Sequence, residues 1–243
     1  MTDLPYRRIL LKLSGEVLRD SAAGECLSDA VLAEMAAQIQ AVRQLGVQVG
    51  VVIGGGNIFR GLKGQDRGFG RAHGDNMGML ATLINSLALQ SALEAAGVPA
   101  TALSATAMPA LCELFTFRRA VSLLESGSVV LMGGGTGNPF FTTDSAAALR
   151  AAEIGADILL KATKVDGIYD ADPVLHPEAV RFDRLTYAEA LSRRLKVMDS
   201  AAFSLCMDNR IPILVFDFFK RGELLRVVRG ETAGTLVTTD ETA

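Results

Sequence analysis

Short runs of β-branched and apolar residues alternate along the chain with longer stretches whose apolar positions recur at helical spacing. Residues 6–13 form the first such run, and it delivers Lys12 to the carboxyl end of a predicted strand, the end at which open α/β sheets bind ligands. Ser28 and Asp29 then read as the cap of a helix reaching Leu45, with Gly46 as its stop before a second strand over 47–53. A long helix is expected to open at Asp75, run to Ala96, and be apolar enough for burial on most sides. Helices over 117–125 and 145–154 flank a strand over 129–132, and another strand follows over 157–161. Beyond it, 161–173 reads as a polar loop, Thr186 and Glu189 as a capping box, 201–207 as a helix, and 211–216 and 234–239 as strands. Repeated strand and helix alternation predicts an α/β fold, a three-layer αβα sandwich around a central, mainly parallel sheet.

Two strand-to-helix crossovers are rich in glycine. One is Gly54-Gly55-Gly56-Asn57; the other runs from Gly133-Gly134-Gly135 through Thr136, Gly137, Asn138, Pro139, Phe140, Phe141, Thr142 and Thr143 to Asp144. Such loops present backbone N–H groups and a positive helix end to an anion. The plainer alternative is that these glycines only supply positive φ. The segment 57–74 adds Arg60, Lys63, Arg67 and Arg71 among further glycines and reads as a mobile loop facing phosphate. Neither Gly-x-Gly-x-x-Gly nor a Gly-Lys dipeptide occurs in the two crossovers, so the common nucleotide fingerprints are excluded.

The chain has 243 residues, 49% hydrophobic, with a formal charge of −3, which gives no electrostatic reason to expect nucleic acid or a membrane as partner. Three cysteines, Cys26, Cys112 and Cys206, with His73 and His176, assemble no zinc spacing. Buried thiols in a reducing compartment are expected. The first residues lack the apolar core of a signal peptide, and a cytoplasmic location is expected.

The residues suit phosphoryl transfer, which asks for positive charge around the phosphate, a bridging metal and an in-line acceptor. Lys12 beside Ser14 and Gly15 could meet an anion or stay solvated. Arg60 could clamp a phosphate or point into water. Asp75 and Asp144 could each be helix caps instead of ligands. Phe140 and Phe141 could offer a platform for a planar base or belong to the core.

Lys12-Leu13-Ser14-Gly15, Gly54 to Gly61, the Gly74-Asp75-Asn76-Met77-Gly78-Met79-Leu80-Ala81-Thr82 run, Thr136 to Asp144 and Lys161 to Gly167 together resemble the bacterial uridylate kinases of the amino-acid-kinase superfamily, over nearly the whole chain. The resemblance implies a single amino-acid-kinase domain over 1–243, with an N-terminal lobe (about 1–155) mainly for UMP and a C-terminal lobe (about 156–243) mainly for ATP. It implies transfer of the γ-phosphoryl group of Mg-ATP to UMP, with Mg²⁺ held mainly by the ATP phosphates and not by a protein metal site. It implies Lys12, Arg60 and Asp144 as catalytic residues, and Gly55, Asp75 and Thr136 through Thr143 around UMP. Lys12, Leu13, Ser14, Gly15, Gly56, Arg60, Thr163, Tyr169 and Asp172 would hold ATP. A homohexamer with GTP and UTP as effectors is also implied. Residues 21–29 depart from the aromatic-glycine segment that the family associates with GTP activation, so that activation is expected to be weak or altered. The competing readings are a small-metabolite kinase of the same superfamily and a nucleotide sensor without turnover; an acceptor binding site for an amino acid would not need the two phenylalanines.

Overall fold

The computed structural model describes residues 4–19, 23–60, 68–195, 197–231 and 233–239. A nine-stranded sheet runs in the order β4-β3-β5-β2-β1-β6-β10-β11-β9, built from β1 (Arg8–Leu13), β2 (Gln48–Ile53), β3 (Ala100–Ser104), β4 (Glu113–Leu114), β5 (Val129–Gly133), β6 (Ile158–Thr163), β9 (Arg184–Thr186), β10 (Ile213–Asp217) and β11 (Thr235–Thr238). Neighbours pair in parallel except β10 with β11. A separate two-stranded ribbon joins β7 (Ile168–Tyr169) to β8 (Arg181–Phe182).

Alternate residues of β1 feed opposite cores, as the pleat requires. Ile9, Leu11 and Leu13 pack with Met35, Ile39, Leu89 and Val227, from helices α1 (Asp29–Gln44), α2 (Arg71–Ala95) and α7 (Glu223–Val228). Leu10 packs on the other side with Leu124, Ala147, Ala190 and Phe203, from α3 (Phe117–Glu125), α4 (Thr143–Ile154), α5 (Tyr187–Ser192) and α6 (Ser200–Asp208). This is the expected three-layer αβα sandwich. The sheet continues from β1 directly onto β6, so it crosses residue 155 without interruption.

Several punctuation marks act as expected. Gly46 and Gly155 carry φ of +87° and +63° where α1 and α4 end, and Thr186 with Glu189 forms a reciprocal capping box. Other expectations are corrected. The hydroxyl of Ser28 accepts no bond from α1. Helix α2 opens at Arg71, one turn before Asp75, and it is not buried on most sides: Leu80 and Ile84 are 47% and 48% exposed. Polar residues Thr82, Asn85 and Ser86 occupy part of its buried face. Lys161 to Thr163 belong to β6 and Tyr169 to the ribbon, not to one loop. Of the three cysteines expected to be buried, Cys206 is, Cys112 is half-buried and Cys26 is exposed, its backbone carbonyl accepting from Asn57 Nδ2 at 2.8 Å. The expectation for 57–74 falls partly on 61–67, outside the described residues, and that for 21–29 partly on 21–22.

The turns after β1 and β2 touch without room for a side chain. A Cβ at Gly15 would lie 2.1 Å from the carbonyl oxygen of Gly54, a backbone atom that moves only if a strand end moves. Gly15→Ala is therefore expected to cost about 1–3 kcal/mol in stability, as overpacking does, and to reduce activity beyond that loss. Denaturant melts beside initial rates check this; an unchanged melt with full activity contradicts it.

Candidate active site

Lys12 and Lys161 stand directly opposite each other on adjacent parallel strands. Residues in register on parallel strands face the same side, and here that side carries α4, whose first turn holds Asp144. Asp144 Oδ1 lies 2.7 Å from Lys12 Nζ and Oδ2 lies 2.8 Å from Lys161 Nζ. All three side chains are largely shielded, at 12–16% exposure. Lys161 donates to Oδ2 and to the carbonyl of Val197 at 2.6 Å, whereas Oδ1 has the Lys12 charge beside it without an aligned hydrogen bond. Burial pushes the Asp144 carboxyl up, but Lys12 and Lys161 outweigh it, and the group stays below its ordinary range. Burial, aided by Lys12 and opposed by Asp144, holds Lys161 below the usual ammonium range. Two ammonium groups around one carboxylate leave positive charge in excess at the carboxyl ends of β1 and β6.

The start of α4 is fixed from two directions. Thr142 Oγ1 accepts from the N–H groups of Asp144 and Ser145 at 3.0 and 3.3 Å and donates to Asp199. Asp199 also accepts from Ser145 Oγ at 3.0 Å and caps α6 through the N–H of Ala202 at 2.8 Å.

Beside this unit opens a cavity of about 460 Å³, lined by Gly55, Gly56, Phe59, Arg60, Arg71, Asp75, Gly78, Met79, Thr82, Gly135, Thr136, Asn138, Phe141, Thr142 and Thr143. The two glycine turns are built differently. Gly134, Gly135 and Gly137 have φ of +79°, +61° and +81°, as the plainer reading of glycine requires. Gly54, Gly55 and Gly56 are absent from the positive-φ residues and serve close approach instead: a Cβ at Gly55 would meet Gly78 O and Ala81 Cβ at 2.7 Å.

Asp75 is not the cap of α2. Its Oδ2 accepts from Arg71 Nε and from the N–H of Phe140, both at 2.8 Å, so it ties the helix to the 136–143 loop. Phe140 is held at φ +74°, which a residue with a Cβ rarely adopts, with the Arg71 guanidinium 5.8 Å from its ring centre. Phe140 and Phe141 are 65% and 54% exposed, so neither is a core residue. Gly137, Pro139 and Phe140 lie in the loop without lining the cavity.

The solvated alternative for Lys12 is excluded by its pairing. Arg60 lines the cavity and pairs with Glu16, and both are exposed enough for solvent to weaken the attraction. Leu13 is a core residue and serves the site by packing. Thr163, at the end of β6, and Tyr169 and Asp172, beyond it, do not line this cavity. Thr163 Oγ1 donates to Val165 O at 2.5 Å. Tyr169 Oη donates to Asp166 at 2.6 Å, and Asp172 accepts from the N–H of Val174 at 2.9 Å. Sequence reasoning gave Lys161 and Asp199 no role. Lys161 closes a run of apolar residues in the sequence much as Lys12 does, and that is a readable signal; Asp199, between two helices, offers none.

A profile described as the amino acid kinase family matches residues 7–217. The uridylate kinase of Methylococcus capsulatus is 54% identical over 240 residues, 98% of this chain and 100% of that protein. The uridylate kinase of Parabacteroides distasonis is 55% identical over 96% of this chain and 98% of its own. Among solved structures, a UMP kinase from Bacillus anthracis superimposes with a TM-score of 0.94 at 38% identity, covering 97% of each chain. The uridylate kinase of Archaeoglobus fulgidus is more distant, with a TM-score of 0.71 at 31% identity over 95% of this chain and 99% of its own.

Asp144 links the site to pH. A carboxyl whose folded pKa is depressed contributes stability that is present above its unfolded value, about 4, and is lost as pH falls through the folded value. The gap in melting temperature between the protein and its Asp144→Asn variant should therefore be wide at pH 7 and close steadily below about pH 4. A gap of constant size down to pH 3 in thermal melts contradicts the assignment.

Proposed function

The chain belongs to the amino acid kinase family, and we propose that it transfers the γ-phosphoryl group of Mg-ATP to the phosphate of UMP, giving UDP and ADP for pyrimidine nucleotide synthesis. The observation that carries this reading is the Lys12–Asp144–Lys161 unit beside a cavity walled by two glycine turns. The full-length uridylate kinase relatives support UMP as the acceptor.

The acceptor is already an anionic oxygen, so the transfer needs no general base. Asp144 is unsuited to that work, since the two ammonium groups lower its affinity for a proton and face both its oxygens. Its part is to hold Lys12 and Lys161 close together despite their repulsion, while the lysines neutralise charge on the phosphoryl group as it moves. Gly55, Asp75 and residues Thr136 through Thr143 would hold UMP, with Asp75 suited to the ribose hydroxyls and Phe141 flanking the base. Ser14, Gly15, Gly56 and Arg60 would hold the ATP phosphates, and Thr163, Tyr169 and Asp172 the rest of the nucleotide. On this reading the N-terminal lobe serves mainly UMP and the C-terminal lobe mainly ATP.

Among the described residues no group of three or more His, Cys, Asp or Glu could hold a metal ion, and Asp144 is engaged by two lysines. These residues fit a Mg²⁺ carried by the ATP phosphates, which when bound would neutralise phosphate charge and fix the geometry of the donor. We further propose a cytoplasmic homohexamer inhibited by UTP, which shares uracil and ribose with UMP and can compete for its pocket. Among the described residues no helix is long and apolar enough to cross a membrane.

A coupled assay of ATP consumption across UMP, CMP, aspartate, acetylglutamate and carbamate tests the function. UMP should be preferred, and equal turnover of an amino acid would sink the reading. Lys12→Ala should lower kcat by roughly a hundredfold to a thousandfold with UMP affinity nearly unchanged; near-normal turnover removes Lys12 from the catalytic residues. In the same assay GTP should activate only weakly, and a strong shift in UMP dependence would show that residues 21–29 do not govern that response.

A further inference from the structure

One buried polar unit has no part in the transfer chemistry described above. Asn57 and Asn85, 4% and 0% exposed, bond to each other reciprocally: Asn85 Nδ2 donates to Asn57 Oδ1 at 2.7 Å, and Asn57 Nδ2 donates to Asn85 Oδ1 at 3.0 Å. Their remaining contacts go to backbone. Asn85 Nδ2 also donates to the carbonyl of Gly54 at 2.7 Å, and Asn57 Nδ2 to that of Cys26 at 2.8 Å. A helix offers no reason to bury an asparagine, and an unpaired amide there costs more than an apolar residue. What the pair obtains is position. The Gly54 carbonyl and Asn57 Oδ1 are the atoms that a Cβ on Gly15 would strike, at 2.1 and 2.6 Å. The amide pair therefore fixes the surface on which the turn after β1 rests.

The other glycine turn is held separately, by a residue one helical turn away: Thr82 Oγ1 accepts from the N–H of Gly134 at 2.8 Å and donates to Met79 O at 2.7 Å. Helix α2 thus grips each turn with its own side chain.

We propose that Asn57 and Asn85 are positioning residues for the phosphate donor, setting the β1 and β2 turns against each other, while Thr82 positions the acceptor loop. The assignment of donor and acceptor sides rests on the kinase reading above. The two grips should then be separable by ligand. In Asn57→Ala and Asn85→Ala, affinity for Mg-adenylyl-imidodiphosphate by calorimetry should fall about tenfold, and kcat by up to a hundredfold, the scale of a small misplacement. UMP affinity should fall by no more than about threefold, because Asp75 and the 136–143 loop are untouched and Gly55 alone of the acceptor residues lies in the β2 turn. The double variant should be no worse than the poorer single one, as for residues that act as a unit. Thr82→Val should show the reverse, weakening UMP and sparing the ATP analogue. If Asn85→Ala fails to fold, Asn57→Ala against Thr82→Val carries the same comparison. Loss of both ligands together in every variant, in step with falling melting temperature, would overturn the proposal and leave the pair as scaffold; so would multiplicative losses in the double variant. Wild-type turnover of UMP decides the kinase reading by itself, so either conclusion can fail alone.

Discussion

A carboxylate held between two buried ammonium groups is the constraint from which the site is built. Removing three charges from water is costly, and the arrangement persists only because each charge has a close partner. Asp144 supplies that partner for Lys12 and Lys161, at 2.7 and 2.8 Å. Its place requires β1 and β6 to be neighbours in parallel register and α4 to begin directly over their carboxyl ends. The crossover from β5 through α4 to β6 meets both conditions. Asp199 and Thr142 then lock the start of α4 to α6, so the carboxylate cannot retreat from the lysines without disturbing two helices.

Helix α2 complements this unit from the other side of the cavity. Its buried polar residues would weaken an ordinary amphipathic helix; here Asn85 and Thr82 bond to the glycine turns. Asp75 extends the same logic outward, holding Phe140 by its N–H in a backbone conformation that a non-glycine residue seldom adopts. Lysines from the sheet bring charge, while a helix brings shape to the backbone that surrounds the ligand.

Much of the fold was legible because period and punctuation agreed. Val129 to Met132 is unbroken and apolar and lies in the buried centre of the sheet, and Gly155 ends α4 in the left-handed conformation that glycine favours. Strand β3, a short mixed run of Ala, Thr, Leu and Ser, is not predicted by the pattern, and neither are the edge strands β4 and β9 nor the β7–β8 ribbon, since so few residues leave no period to read. At the site, Lys12 and Asp144 stood out through their neighbours. Lys161 is harder to read because strand β6 continues past it to Thr163, so that in the sequence a strand residue looks like the opening of a polar loop. The start of α2 was misplaced because Arg71, Ala72 and His73 follow a glycine-rich run that obscured their helical spacing. Asn85 is invisible in principle: an asparagine in a helix signals nothing until the carbonyl it meets is known.

The central claim is that the paired lysines act on the moving phosphoryl group and not merely on the fold. Single-turnover rapid-quench measurement of phosphoryl transfer from Mg-ATP to UMP in Lys161→Met, at saturating concentrations of both nucleotides, tests it most directly. The account predicts a transfer step slowed by roughly a hundredfold or more, with UMP dissociation constants close to those of the unmodified protein. A transfer step of normal speed in a folded Lys161→Met protein would contradict it and would reduce Lys161 to a structural counterion of Asp144.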